Sequence, residues 1–312
     1  MRLDDYRMSD NVEEGRSGGG FGFGGGGMGG GIVGLLFGLV LSRFGIVGVL
    51  ILLLGFCALS TLGGGGDGLG VAGSGPAVAP HQAAASGGAA ASCTADAARS
   101  LSCRVLASTE DTWGAILGRA GDRYTPTTLH FYSRADDSGC GAAQSAMGPF
   151  YCPSDKRIYL DTSFYDELQN RFHAAGDFAQ AYVIAHEVGH HIQDLNGTLD
   201  QVQERQGALS TKEGNALQVR VELQADCYAG VWAANAKARD GQVLMEAGDL
   251  EEGLRAAAAI GDDTLQQQEQ GRVVPDAFTH GSSAQRVEWL RRGYQSGDPA
   301  ACDTFKALGA KT

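Results

Sequence analysis

The 312-residue chain carries a net charge of −12, and no basic run is longer than Arg291-Arg292. This argues against nucleic-acid binding, which depends on neutralising phosphates. The 48 glycines concentrate in residues 15–75, marking linkers there and leaving about 230 residues beyond position 80 for one sizeable domain.

Residues 1–31 are polar and then glycine-rich, which predicts a disordered tail. Two apolar blocks follow, 32–41 (IVGLLFGLVL) and 46–62 (IVGVLILLLGFCALSTL), separated by Ser42-Arg43-Phe44-Gly45. The second block with Gly45 and Gly63 is long enough to cross a bilayer once, and the first, at ten residues, is too short. Residues 32–62 are therefore expected to form one transmembrane anchor with Arg43 at the interface. Arg2, Arg7, Arg16 and Arg43 precede the span, and no Lys or Arg lies between Phe44 and Ala98. The positive-inside rule then puts the N-terminus in the cytoplasm and the folded domain in the periplasm or outside the cell. A cleaved signal peptide is the competing reading, without a clear A-x-A site, and a lipoprotein box at Cys57 is opposed by bulky Phe56. Residues 63–92 read as a Gly/Ala/Ser/Pro tether.

Outside the apolar block stand Cys93, Cys103, Cys140, Cys152, Cys227 and Cys302. An even set fits disulfides in an oxidising compartment, with fifteen connectivities open. Local loop closure favours Cys93–Cys103 and Cys140–Cys152, leaving Cys227–Cys302. Free buried thiols in a cytosolic protein are the alternative.

Residues 93–312 carry the pattern of a folded domain. The stretch 94–121 predicts one helix or two, with Leu101, Val105, Leu106, Trp113, Ile116 and Leu117 inward and Gly121 closing it. The alternating, Thr- and aromatic-rich 125–133 predicts a strand, and 148–161 a hairpin turned at Pro153-Ser154-Asp155 with Lys156–Leu160 returning. A helix follows from Ser163, whose spacing to Asp166 resembles a capping box. His130 and His173, on this strand and helix, are read as structural. A small sheet ahead of helices, with no βαβ repetition, predicts an α+β, mostly helical domain.

The stretch YVIAHEVGHHIQDLNG, 182–197, holds three of the seven histidines. Asp177 can cap a helix there, Phe178, Ala181, Tyr182, Ala185 and Val188 form its apolar stripe, and Asn196-Gly197 stops it. His186 and His190, four apart, share one helical face and can converge on one ion. Glu187 lies about 100° round the helix, beside the site, and His191 points elsewhere as a packing or hydrogen-bonding neighbour. The pattern is HExxH. The third ligand is sought in VRVELQADCYAGVWA, 219–233, also helical, with Gly241 ending the run. Glu222 can supply it, and Asp226, one turn on, can accept the free ring N–H of a ligating histidine. A solvated acidic face is the plain reading of that pair.

FAQAYVIAHEVGHH, ELQADCYAGVWA, GPFYCPSDKRIYLD, GDLEEGLRAAAAIGDD and QGRVVPDAFTHGSSAQR resemble the neutral zinc metallopeptidases of bacteria, the YpfJ-like family. The likeness runs through nearly the whole chain after residue 93 and touches the opening SDNVE. Its HExxH and ExxxD blocks are similar to those of the wider gluzincin group. The resemblance implies a zincin-like fold and one Zn²⁺ held by His186, His190 and Glu222, with Glu187 as catalytic base. It also implies a transition-state role for His280 and Arg286. The Cys93/Cys103 pair departs from the family pattern. The expected partner is a peptide or unfolded protein, presented along a sheet edge at Lys156–Asp161 or, if that strand is inner, elsewhere. The rival function is a membrane-anchored zinc-binding scaffold without catalysis, its site closed by a fourth ligand such as Cys227.

Overall fold

The computed structural model describes residues 1–15 and 86–307. The expected anchor at 32–62 and most of the tether lie outside the described residues. Among the described residues, no helix is long and apolar enough to cross a membrane.

The tail expected at 1–31 is corrected over its first half. Val12–Glu14 forms strand β1, and Leu3 and Val12 are buried in the core. The tether is corrected at its end, because Ser86–Cys93 is a helix, α1, that packs against β1. Helix α2, Ala97–Ala120, starts at an Asp96 cap, whose side chain accepts from Arg99 N, and stops at Gly121 in the left-handed conformation.

Strands β2 (Thr128–Phe131), β3 (Ala135–Ser138), β4 (Gly141–Gln144), β5 (Phe150–Cys152) and β6 (Arg157–Leu160) follow. The main sheet has the order β1-β2-β6-β5, with β1, β2 and β6 parallel and β5 antiparallel to β6. β3 and β4 form a separate hairpin. The predicted 148–161 hairpin is present, but Lys156–Asp161 is not an edge: β6 is paired on both sides, and β1 and β5 lie at the two edges.

Helices α3 (Ser163–Asn170), α4 (Asp177–Leu195), α5 (Thr198–Gln206) and α6 (Thr211–Asn235) come next. They are followed by α7 (Asp249–Ala259), α8 (Asp262–Gln270), α9 (Ser283–Ser296) and the short α10 (Thr304–Ala307). Two expected caps differ. α3 has no side-chain cap from Ser163, whose backbone N–H instead donates to Asp161. Asp177 is the first residue inside α4 and accepts from the Met1 α-amino group at 2.7 Å. α6 stops at Asn235, six residues before the expected Gly241, where Ala236 turns extended.

The core joins Leu129, Phe131, Ile158 and Leu160 of the sheet to Leu106 and Trp113 of α2, Ile184 and Val188 of α4, and Leu223 of α6. Phe178 of α4 stacks on Trp232 of α6 at 6.0 Å. Gly189 lets α4 press on α6: a Cβ there would lie 2.9 Å from the Ala225 carbonyl oxygen. Gly293 does the same for α9, since a Cβ would collide with the Cys227 carbonyl of α6. These contacts bring three helices together at one level. Three disulfides, Cys93–Cys103, Cys140–Cys152 and Cys227–Cys302, follow the expected pairing.

Candidate metal centre

α4 carries His186 and His190 on one face, their ring centroids 4.8 Å apart. α6 brings Glu222 between them, with one carboxylate oxygen 3.2 Å from His186 Nε2 and 3.5 Å from His190 Nε2. The three donor atoms lie within 4.8 Å of one another. His186 and Glu222 are buried, and His190 is half-buried. Two imidazoles and a carboxylate with no competing cation among them form a donor set that fits Zn²⁺. The residues therefore fit the ion that the sequence implies.

Each donor is held from behind. His186 Nδ1 faces Asp226 at 2.8 Å, as the spacing predicts. Tyr182, one turn earlier on α4, donates to the same Asp226 oxygen at 2.5 Å. Arg286 of α9 grips both Asp226 oxygens, with Nε and Nη2 each at 2.9 Å, and also donates to Tyr182 Oη and the Ile260 carbonyl. Burial raises the Asp226 pKa, but Arg286 and then His186 outweigh it and hold the carboxyl at about 2. His190 Nδ1 faces Gln193 Oε1 at 2.9 Å, and Gln193 donates to Val221 O and Gln224 across to α6. Gln218 donates to the second Glu222 oxygen at 2.9 Å. The sequence reading placed Tyr182 only in the apolar stripe and did not name Gln193 or Gln218. Their positions four before His186, three after His190 and four before Glu222 are the signal that could have found them.

Arg286, expected to act beside His280 on the reacting carbonyl, lines the cavity beside the donors but is only 3 % exposed, and its guanidinium is held by Asp226 and Tyr182. His280 is exposed on the wall of the same cavity. Asp262 holds its loop by accepting from the backbone N–H groups of Thr279, His280 and Gly281, and it faces His280 Nδ1 at 3.2 Å. His191 is fully buried and turned away from the centre, as expected. Its Nε2 donates to Thr125 O at 2.6 Å, and its Nδ1 lies 3.0 Å from Tyr151 Oη. Cys227, the suggested fourth ligand, is bonded to Cys302 and cannot close the site as a thiolate.

The centre opens into a cavity of about 540 Å³, lined by Glu187 as well as the three donors and by apolar groups including Phe150, Phe164, Phe172 and Val183. One wall is β5, an edge strand of the main sheet, together with the 145–149 segment before it.

The chain is 54 % identical over 210 residues to the uncharacterized protein YpfJ of Escherichia coli K12, covering 67 % of this chain and 72 % of that one. It is 46 % identical over 225 residues to the uncharacterized protein Rv2575 of Mycobacterium tuberculosis H37Rv, covering 68 % and 73 %. No solved structure matches. A family model described as "Putative neutral zinc metallopeptidase" matches residues 1–305, strand β1 included, and the chain belongs to that family.

Proposed function

We propose that the protein is a zinc-dependent endopeptidase, associated with a membrane through residues 32–62, that cuts peptides or unfolded proteins. One observation carries this reading: His186, His190 and Glu222 converge inside a cavity that Glu187 also lines. A site for structural zinc is closed by four ligands, whereas this one pairs three donors with an open approach.

Zinc bound to these three residues would supply Lewis-acid polarisation and a water of lowered pKa. Glu187 takes the proton from the attacking water and returns it to the leaving amine. His280, at the cavity wall, donates to the oxygen on which negative charge develops. Asp226 fixes the His186 ring by accepting its Nδ1–H, and Arg286 and Tyr182 keep Asp226 ionised and oriented. β5 receives the substrate backbone by strand addition, with side chains alternating into the apolar wall.

The test compares full-length wild type with Glu187→Gln at matched zinc content on a panel of unfolded proteins. The wild type is expected to cut and the variant to bind zinc equally without cutting. If both hold zinc and neither cuts, the protein is a zinc-binding scaffold instead.

A further inference from the structure

We propose that residues 1–15 and residues 86–307 lie on the same side of any membrane this protein enters, and that this is the disulfide-forming side. Every crossing made by the chain between them is then paired with a return. The inference does not depend on the peptidase reading, since it concerns how the fold is closed rather than what the cavity does.

The first segment is built into the domain. β1 pairs in parallel with β2, Val12 opposite Leu129, Glu13 opposite His130 and Glu14 opposite Phe131. Leu3 and Val12 are 2 % and 3 % exposed in the shared core. The buried Glu110 of α2 takes three partners from this segment: Ser9, Asn11 and Arg7. Arg99 pairs with Glu14, and Arg157 with Glu13. Paired strands sit about 5 Å apart, whereas one crossing separates its two ends by a hydrocarbon layer about 30 Å thick. A single span between residues 15 and 86 is incompatible with this pairing. α1, which begins at Ser86, itself packs on β1, so the intervening chain departs from and rejoins one neighbourhood of the fold.

The charges that placed the N-terminus in the cytoplasm have another explanation. Arg2 pairs with Asp240, and Arg7 with Glu110 and Asp111, so both serve the fold. Arg43 stands alone between two uncharged runs, 17–42 and 44–66. As the one positive charge between them, it suits the inner face. Three disulfides in the domain fix the compartment of its ends as an oxidising one, and the docked strand goes with them.

The test uses the full chain in bacterial membranes, with Cys57→Ser to remove the seventh cysteine. Asp5→Cys, with Asp4→Cys as a second probe, reports on the exposed N-terminal segment, and Lys212→Cys, at a side chain 70 % exposed, reports on the domain. Spheroplasts are labelled with a membrane-impermeant maleimide before and after permeabilisation. Both ends are expected to label fully in intact spheroplasts, with no gain on permeabilisation. Labelling of Lys212→Cys in intact spheroplasts, with Asp5→Cys and Asp4→Cys labelled only afterwards, would overturn the proposal. Labelling of all three only after permeabilisation would overturn the compartment assigned.

Discussion

The candidate metal centre and the N-terminal strand belong to one compact unit, yet they announce themselves in opposite ways. At the centre, four of the chemical groups sit on two helices, and helical periodicity fixes which of them share a face before any tertiary structure is known. β1 is three residues long, with a sequence, Val-Glu-Glu, that carries no strand signal, and its partner lies 117 positions away. Short-range pattern thus locates chemistry well and locates edge strands poorly, because an edge strand is held by what it meets rather than by what it is.

The sharpest break in the comparison would come at the centre. Glu187→Gln is expected to lower peptidase turnover by about 10³-fold, in the range for loss of a general base, with zinc content unchanged by metal analysis. Retained turnover would remove Glu187 from the chemistry and leave only the donors as the legible part.

Deleting residues 1–15 tests the other side. Burial of Leu3 and Val12 contributes about 2 kcal/mol each, and their removal also opens the edge of β2 and leaves Glu110 without Ser9, Asn11 and Arg7. A domain starting near residue 83 is therefore expected to unfold at clearly lower temperature or to aggregate, and a synthetic 1–15 peptide added in trans should restore part of the loss. An unchanged melting temperature would show that the strand is an ornament. Asp226→Asn should follow, with zinc affinity reduced by about 10–100-fold in chelator competition, as for loss of a carboxylate behind a ligating histidine.

The cluster of His186, His190 and Glu222, with Glu187 beside it and Asp226 behind it, was legible because each is defined by a distance along one helix. The hairpin at 148–161 and the three disulfide pairings were legible from local closure. Arg286 was visible as a residue but not in its role. Its partner Asp226 lies on another helix, 60 positions earlier, and only the close approach of α9 at Gly293 reveals which group it serves. The inner place of β6 was similarly hidden, since it depends on β2, 29 positions earlier, pairing along its other side.

Tyr151 ties the opposite edge of the sheet to the candidate centre, because it belongs to β5 yet bonds to α4. Its hydroxyl donates to Asp194 at 2.8 Å and meets His191 Nδ1 at 3.0 Å, both on α4 just after His190. Tyr151→Phe is expected to raise KM several-fold with kcat nearly unchanged and to destabilise by about 1 kcal/mol. An equal fall in kcat would mean that the tie sets the metal ligands rather than the edge.

The smallest effect should be a pH dependence of the strand's grip, centred on His130. Its Nδ1 faces Glu13 of β1 at 2.9 Å, and its Nε2 faces Asp136 at 2.8 Å. Arg157 shares Glu13, and the Tyr159 ring lies 4.8 Å from the imidazole. Burial lowers the His130 pKa, but the hydrogen bonds to Glu13 and Asp136 raise it by more, leaving it above its ordinary value. A raised folded-state pKa means that the stabilisation is complete below about 6.5 and is lost as pH climbs through the higher, folded value. Hydrogen exchange at the Leu129 amide, which donates to Asn11 O at 2.9 Å, reads the docking of β1 directly. Once corrected for intrinsic exchange, its protection should decline with rising pH in the wild type and vary less in His130→Gln. The variant should start from the lower protection that the wild type reaches only at high pH. Equal slopes in the two proteins would assign the pH sensitivity elsewhere and leave the strand held by its apolar contacts and its arginine pairs alone.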